Sequence, residues 1–456
     1  MFSSLYFQRP PNSCLYGTNT HHHEISTTHE YAVTERVDLT DLRFLTIDPV
    51  GSLDADDAFS VTEHEDGGVT LRIAIADPSH WIDPHSPTLM AVIKNGITNY
   101  QTGSPPDNMI SDAILESCNL IGDCQAMVVT FYLDSSGSHV KQPEISLARI
   151  RIDPEKDKCS YRDTHLLSIP EVQIGLRITE QLSEQRQGID LTGMNLSTIE
   201  KRHGVVTLVQ ETDTTRKLQK MIAEFAIQTN AWIGCFLHER YEVSIYRICA
   251  APKSLLQKIG TVMDVMDHFV ASGVHANYST SDDAHDMVNR AHYTHFTSPI
   301  RRSVDLIIHY LVKSIILDLP EPFTVTELNH LAEYLDPKNR LSRQNGFGHT
   351  KLVLCQYLNQ ETETNAPISI RSRYQGLRGA RRNYLNFSII RVQHHNTRIS
   401  CSFPIRLFEG AFTDTVDSRL IASPENDLTI NHVYTDRKHD NEVLKEIFDW
   451  FVGQCE

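Results

Sequence analysis

Thr46-Ile47-Asp48-Pro49-Val50-Gly51-Ser52-Leu53-Asp54-Ala55-Asp56-Asp57-Ala58-Phe59 sets four carboxylates within ten positions. The surrounding pattern is strand, tight turn, strand. Phe44, Leu45 and Ile47 lead in, Pro49 and Gly51 break regularity, and Phe59 and Val61 resume an apolar alternation. Folding alone gives no reason to crowd Asp48, Asp54, Asp56 and Asp57 at one bend. Like charges raise one another's pKa, at about 1.4 kcal/mol for each unit. A bound cation removes that conflict, and carboxylate oxygen selects hard Mg²⁺ or Mn²⁺. A solvated acidic turn is the plain alternative. A calcium loop is a second one, and it is rejected: Asp54, Asp56 and Glu65 fit its first, third and twelfth positions, but Ala58 and Phe59 stand where a ligand and a glycine are needed.

A chain of 456 residues can hold a large core and a smaller domain or two. Its 40% hydrophobic and 22% charged content are those of an ordinary globular protein. No apolar run approaches the roughly 18 residues of a membrane span, and Met1-Phe2-Ser3-Ser4-Leu5-Tyr6 lacks the pattern of a signal peptide. Nine cysteines without a Cys-x-x-Cys pair predict free thiols in a reducing, cytoplasmic setting and argue against zinc. Net charge of −16 argues against broad nonspecific nucleic-acid binding but leaves room for a local basic surface.

Residues 1–37 are polar and weakly patterned and read as an N-terminal arm, in which His21-His22-His23 could touch a metal but is read as a solvated loop or arm. Val69 to Ile75 alternates as a strand, and Met127 to Leu133 is a second, followed by the hairpin-type turn Asp134-Ser135-Ser136-Gly137. Helical patterns occupy 88–97, 171–187 and 213–240, the last with Leu218, Met221, Ile222, Phe225, Trp232 and Phe236 on one side. A wide apolar stripe predicts a helix over 300–317, and two more are expected over 325–345 and 350–360. After Pro367 short strands are expected and the charge reverses. Arg371, Arg373, Arg378, Arg381, Arg382, Arg391, Arg398 and Arg406 occur with no Asp or Glu between 371 and 408, interleaved with Tyr374, Tyr384, Phe387 and Phe403. Cations for phosphates and aromatic faces for bases make a single-strand nucleic-acid surface, the alternative being a solvated basic sheet face.

The second chemical cluster is His292-Tyr293-Thr294-His295-Phe296-Thr297-Ser298-Pro299-Ile300-Arg301-Arg302. With Ser298 as N-cap and Pro299 in the first turn, both arginines would sit at a helix start, where positive charge opposes the helix dipole and a phosphate would relieve it. Arg301, Asp305 and His309 would then share one helix face, and a plain Arg–Asp bridge is the competing reading. A carboxylate cage plus a phosphate-grade arginine suggest metal-assisted phosphodiester hydrolysis.

These two stretches carry a resemblance. Asp41-Leu42-Arg43 followed by Thr46-Ile47-Asp48 and Asp54-Ala55-Asp56-Asp57-Ala58 resembles the RNB catalytic domain of the ribonuclease II / ribonuclease R family. His295-Phe296-Thr297-Ser298-Pro299-Ile300-Arg301-Arg302, with Asp305-Leu306 and His309, resembles that family's second signature almost letter for letter. Weaker echoes are Ile75-Ala76-Asp77-Pro78-Ser79-His80, Cys118-Asn119-Leu120 and Ala223-Glu224-Phe225 with Asn230, so the resemblance covers about residues 38–360. Cys124 departs from it, standing where the family usually has an arginine.

The resemblance implies an α+β fold: an RNB-type mixed β-sheet with helices packed around a central channel. It implies a catalytic domain over 38–362 and a small, mostly β, basic domain over 363–456, OB-like in position and composition. This would be a short member without the N-terminal cold-shock-type OB barrels. The implied activity is Mg²⁺-dependent, Mn²⁺ being the other candidate ion: two-metal, 3′→5′ hydrolysis of single-stranded RNA to nucleoside 5′-monophosphates by a monomer. Asp48, Asp54 and Asp57 would hold metal, and Asp56, the carboxylate on which chemistry depends, would join them at the metal and near the attacking water, with Asp57 sharing the catalytic role. Arg301 would stabilise the pentacovalent phosphate, Tyr161 and Glu224 would touch the terminal ribose, and Tyr100 would pack on the RNA end. Arg302, Arg381 and Arg382 complete the expected RNA contacts. The rivals are a non-catalytic RNA-binding scaffold on an RNB frame and a metal-dependent endoribonuclease.

Overall fold

The computed structural model of the protein describes residues 24–52, 54–101, 103–189, 197–202, 204–251, 274–363, 368–378, 382–392, 395–404 and 426–430. His21-His22-His23 and Arg381 lie outside the described residues.

The chain opens with β1 (Val37–Asp38) and β2 (Thr46–Asp48), turns at the acidic bend, and continues as β3 (Asp57–Glu63) and β4 (Val69–Ala76). After α1 (Pro87–Asn95) and α2 (Asp112–Cys118) come the long strands β5 (Gly122–Leu133) and β6 (Glu144–Ile152), then the short β7 (Lys158–Ser160). A five-stranded sheet of order β1-β6-β5-β4-β3 results, antiparallel except at the β1–β6 edge. Outside it, β2 pairs in parallel with β7. Alternation along β4 suggests one buried face, yet Thr70, Ala74 and Ala76 are buried as well as Leu71, Ile73 and Ile75. The sheet is therefore covered on both sides, and small residues on the second face let its cover come close. Cys124 is part of this packing: it is buried on β5.

Next come α3 (Pro170–Arg186), the hairpin β8 (Ser197–Arg202) and β9 (Val205–Gln210), and α4 (Asp213–His238). Thr212 caps α4, its Oγ1 accepting from the Thr215 N–H at 3.0 Å. The pair β10 (Tyr246–Ile248) and β11 (Asn277–Ser279) precedes α5 (Ser303–Ile316) and α6 (Val325–Glu363). One apolar core runs from Tyr31 through the sheet to Leu335 on α6.

Two helices differ from the sequence expectation. The first, α5, starts at Ser303 and not at Ile300, with Arg302 extended at the cap position. The chain at 96–98 holds the preceding segment away from helix: Thr98 N–H donates to the Arg301 carbonyl at 3.0 Å and Ser303 N–H to the Gly96 carbonyl at 2.9 Å. The second, α6, joins the two helices expected over 325–345 and 350–360 and carries Pro337 inside it. Glycine weakens a helix by about 1 kcal/mol without ending it, so Gly346 and Gly348 did not act as stops.

Residues 24–37 are docked. Tyr31 is buried edge-on against Tyr310, ring centroids 5.3 Å apart. Arg36 Nη2 and Lys313 Nζ reach Asp77 Oδ2 at 2.6 and 2.8 Å in a buried triad. Burial alone would raise the Asp77 carboxyl, but Lys313 and Arg36 beside it hold it well below the usual range.

Beyond Pro367, β12 (Ile368–Arg378), β13 (Arg382–Val392), β14 (His395–Pro404) and β15 (Asn426–Ile430) pair antiparallel in the order β14-β13-β12-β15. Among the described residues this sheet is open and does not close into a barrel. Nor is any described helix long and apolar enough to cross a membrane.

Candidate active site

The bend is fixed from three directions. Gly51 takes φ +82°, a region that favours glycine, and Ser52 N–H donates to the Pro49 carbonyl at 3.0 Å. Parallel pairing sets Asp48 opposite Ser160, and Tyr161 N–H donates to the Asp48 carbonyl at 3.0 Å. Asn119 Oδ1 accepts from Ala55 N–H at 2.7 Å, while Ala76 N–H donates to the Asp56 carbonyl at 2.8 Å. The echoes at Cys118-Asn119-Leu120 and Ile75-Ala76 thus fasten the acidic turn to α2 and β4.

Asp56 and the 292–302 segment meet. Asp56 Oδ1 accepts from the Ile300 N–H at 3.1 Å, and Oδ2 accepts from Arg301 Nε at 2.8 Å. Arg301 Nη2 donates to Ser298 Oγ at 2.6 Å, so Ser298 orients the guanidinium and does not cap a helix. The expected helix face shared by Arg301, Asp305 and His309 does not form, because Arg301 precedes α5. It is Arg302 that pairs with Asp305, at 2.7 Å, and Asp305 Oδ1 also accepts the Ser298 N–H at 2.8 Å. His309 faces the Phe296 carbonyl with Nε2 at 3.0 Å. Arg302 is therefore mostly inside the structure, whereas the Arg301 side chain is 41% exposed.

Burial and mutual repulsion dominate the electrostatics. Burial first, then Asp57 and Asp56, push Asp48 up to about 8. Asp57 is pushed up to about 7 by burial and Asp56, and Asp56 to about 6 by burial that outweighs Arg301 and the Ile300 N–H. Asp54 is raised by burial against the pull of Lys158 and Arg301. Asp48 Oδ2 is buried with no hydrogen-bond partner. An orphaned carboxylate oxygen among other raised acids is a local charge deficit that a hard divalent cation fits, and every donor is oxygen. The arrangement is open: among the described residues, no three of the bend's carboxylates converge within 4.8 Å.

Tyr100 and Tyr161 gather at this bend. Tyr100 is 51% exposed, and burial of its hydroxyl, within the field of Arg301 and three of the aspartates, pushes it up to about 12. The Tyr161 phenol is raised by burial and then by Asp57 and Asp48. A cavity of about 370 Å³ lies alongside, lined by Pro49, Val50, Tyr161, Arg162 and the β8–β9 hairpin. Glu224 is placed otherwise. It is fully buried between α3 and α4, its oxygens taken by Arg186 Nε at 3.0 Å, Arg186 Nη2 at 2.8 Å and Gln228 Nε2 at 2.8 Å. Arg382 opens β13 in the C-terminal sheet. Sequence reasoning passed over Lys158, which the β2–β7 pairing sets opposite Thr46 and which lowers Asp48 and Asp54. A lone lysine on a three-residue strand carries no local signal.

The RNB domain model matches residues 36–318. Ribonuclease R of Chlamydia muridarum is 27% identical over 325 residues, 62% of this chain and 46% of that protein. Exoribonuclease 2 of Serratia proteamaculans is 24% identical over 384 residues, 72% of this chain and 58% of its own. The chain thus spans about half the length of the curated relatives it matches. Among solved structures, Mycoplasma genitalium RNase R in complex with ribose methylated single-stranded RNA aligns at TM-score 0.64 and 19% identity, covering 83% of this chain and 65% of that one. Yeast Ssd1, a pseudonuclease, aligns at TM-score 0.64 and 15% identity, covering 80% and 50%. Because the matched domain takes in both the acidic bend and Arg301, and makes up most of the chain, the protein belongs to the RNB-domain ribonuclease family.

Proposed function

We propose that the protein is a Mg²⁺-dependent hydrolytic exoribonuclease that shortens single-stranded RNA from its 3′ end and releases nucleoside 5′-monophosphates. The observation that carries this reading is the 2.8 Å contact between Arg301 and Asp56 beside the other three aspartates. Asp48, Asp54 and Asp57, with Asp56 beside them, would hold the metal, which would supply charge neutralisation and acidify a water. Asp56 orients Arg301, Oδ2 holding the guanidinium while Oδ1 holds the Ile300 N–H. The exposed guanidinium then neutralises charge that grows on the phosphate oxygens, with Ser298 Oγ holding its plane. Tyr100 offers an exposed ring on which the last base stacks.

The test is a time course on 5′-labelled single-stranded RNA with Mg²⁺, with and without EDTA. A ladder descending from the 3′ end and free monophosphates are expected, EDTA abolishing both. Asp56→Asn should lower the rate by about a hundredfold or more, because it removes the carboxylate that positions Arg301 against the developing charge. RNA left intact by the wild-type protein with Mg²⁺ or Mn²⁺ rejects the proposal. The second reading, an RNA-binding scaffold, is favoured by the likeness to a pseudonuclease. It predicts binding with steep salt dependence and no cleavage.

A further inference from the structure

We propose that His238, Asp282 and His292 form a second metal site, specific for a borderline first-row divalent ion of the zinc class. The three side chains come from separate segments: the last turn of α4, the turn after β11, and the start of the signature segment. Their ligand atoms lie within 4.8 Å of one another. Asp282 divides its oxygens between the imidazoles, Oδ1 at 2.6 Å from His292 Nδ1 and Oδ2 at 3.4 Å from His238 Nδ1. The two rings stack with centroids 3.8 Å apart at 16°.

The backbone holds this meeting in place. A Cβ on Gly234 would come within 2.8 Å of the His292 carbonyl oxygen, so only glycine lets α4 approach so closely. His238 lies one turn further along the same helix face, which brings its ring over His292. Upstream on α4, Asn230 clamps the signature segment again, Oδ1 accepting from Phe296 N–H at 2.8 Å and Nδ2 donating to Tyr293 Oη at 3.2 Å.

Metal bonds of about 2.0–2.2 Å place tetrahedral ligands about 3.3–3.6 Å apart, so binding requires one of the two stacked surface rings to swing out until both in-plane lone pairs point at the ion. Two imidazoles with one carboxylate select zinc-class ions over Mg²⁺, which takes oxygen ligands. Three protein ligands leave a fourth position for water. The role is structural: a bound ion would staple α4 to the segment that delivers Arg301. It stands apart from the carboxylates of the acidic bend and does not depend on the nuclease reading. Cysteine spacing argued against zinc only because it speaks to thiolate sites, and this one uses none.

The test uses the full chain carrying Asp48→Asn and Asp56→Asn, titrated with Zn²⁺ in excess Mg²⁺, with Co²⁺ absorption as a second readout. One equivalent of Zn²⁺ should bind, and His238→Ala or His292→Gln should each weaken it at least tenfold. Visible Co²⁺ bands should appear in the parent and vanish when both histidines are replaced. No Zn²⁺ binding, or binding that ignores both substitutions, overturns the proposal. Melting in EDTA checks the fold of each variant. Should His292→Gln unfold, the exposed His238→Ala decides alone.

Discussion

Asp48 combines an orphaned buried oxygen with a carboxyl pushed up to about 8. An acid whose folded pKa exceeds its unfolded value of about 4 stabilises fully below that value, and the contribution is lost as pH rises through the folded pKa. In EDTA, Asp48→Asn should therefore melt above wild type at pH 8–9, and the gap should close toward pH 5. Taking the difference between the two proteins cancels the buried histidines, whose lowered pKa values act on the acid side. Added Mg²⁺ should shrink the gap at high pH by stabilising wild type more than the variant. At Arg301 the expectation concerns rate. Arg301→Ala should cost roughly a hundredfold or more in single-turnover cleavage, and Arg301→Lys should recover little because lysine lacks the planar fork that spans Asp56 and Ser298. The four aspartates were legible because they fall within ten positions and folding alone does not account for their crowding. Lys158 was not, since its effect exists only once two short strands have paired.

Between α3 and α4, the Arg186–Glu224 pair is wholly removed from solvent, with both side chains 0% exposed. Removing one partner of such a pair strands a buried charge at a cost of about 3–5 kcal/mol, whereas replacing both with apolar groups is often neutral. Arg186→Met should destabilise the protein by about that amount in urea melts, and Arg186→Met/Glu224→Leu should recover most of it. Full recovery of stability with full retention of RNA cleavage would give Glu224 a packing role; loss of RNA binding in the stable double variant would give it a part in holding RNA. Helix existence was readable from apolar stripes at 213–240 and 300–317, whose residues are buried (Leu218, Met221 and Phe225 on α4) or partly buried against the core (Ile222, Trp232 and Phe236). Boundaries were less so. A strand-like partner at 96–98 decides where α5 begins, and no local propensity encodes that contact.

The molecule carries its positive charge late. Arg371 and Arg373 stand opposite Ser388 and Asn386 in the β12–β13 register, and Arg391 opposite Asn396 on β14. Replacing Arg371, Arg373 and Arg391 with glutamine should weaken single-stranded RNA binding roughly uniformly across sequences. For each phosphate that an arginine no longer neutralises, the slope of log affinity against log salt should fall by about 0.7. An unchanged slope would make this sheet a solvated face. The basic composition was plain in the sequence, but strand order was not, because β15 returns across a long separation to pair with β12.

The Asp56–Arg301 contact closes a separation of 245 residues. A ribosome adding about 5–20 residues per second needs on the order of tens of seconds to bridge that gap. Until then the emerging polypeptide displays its acidic turn without the basic partner that completes it. On the proposed reading, a nascent chain gains the paired Asp56 and Arg301 that cleavage requires only after residue 301 has emerged.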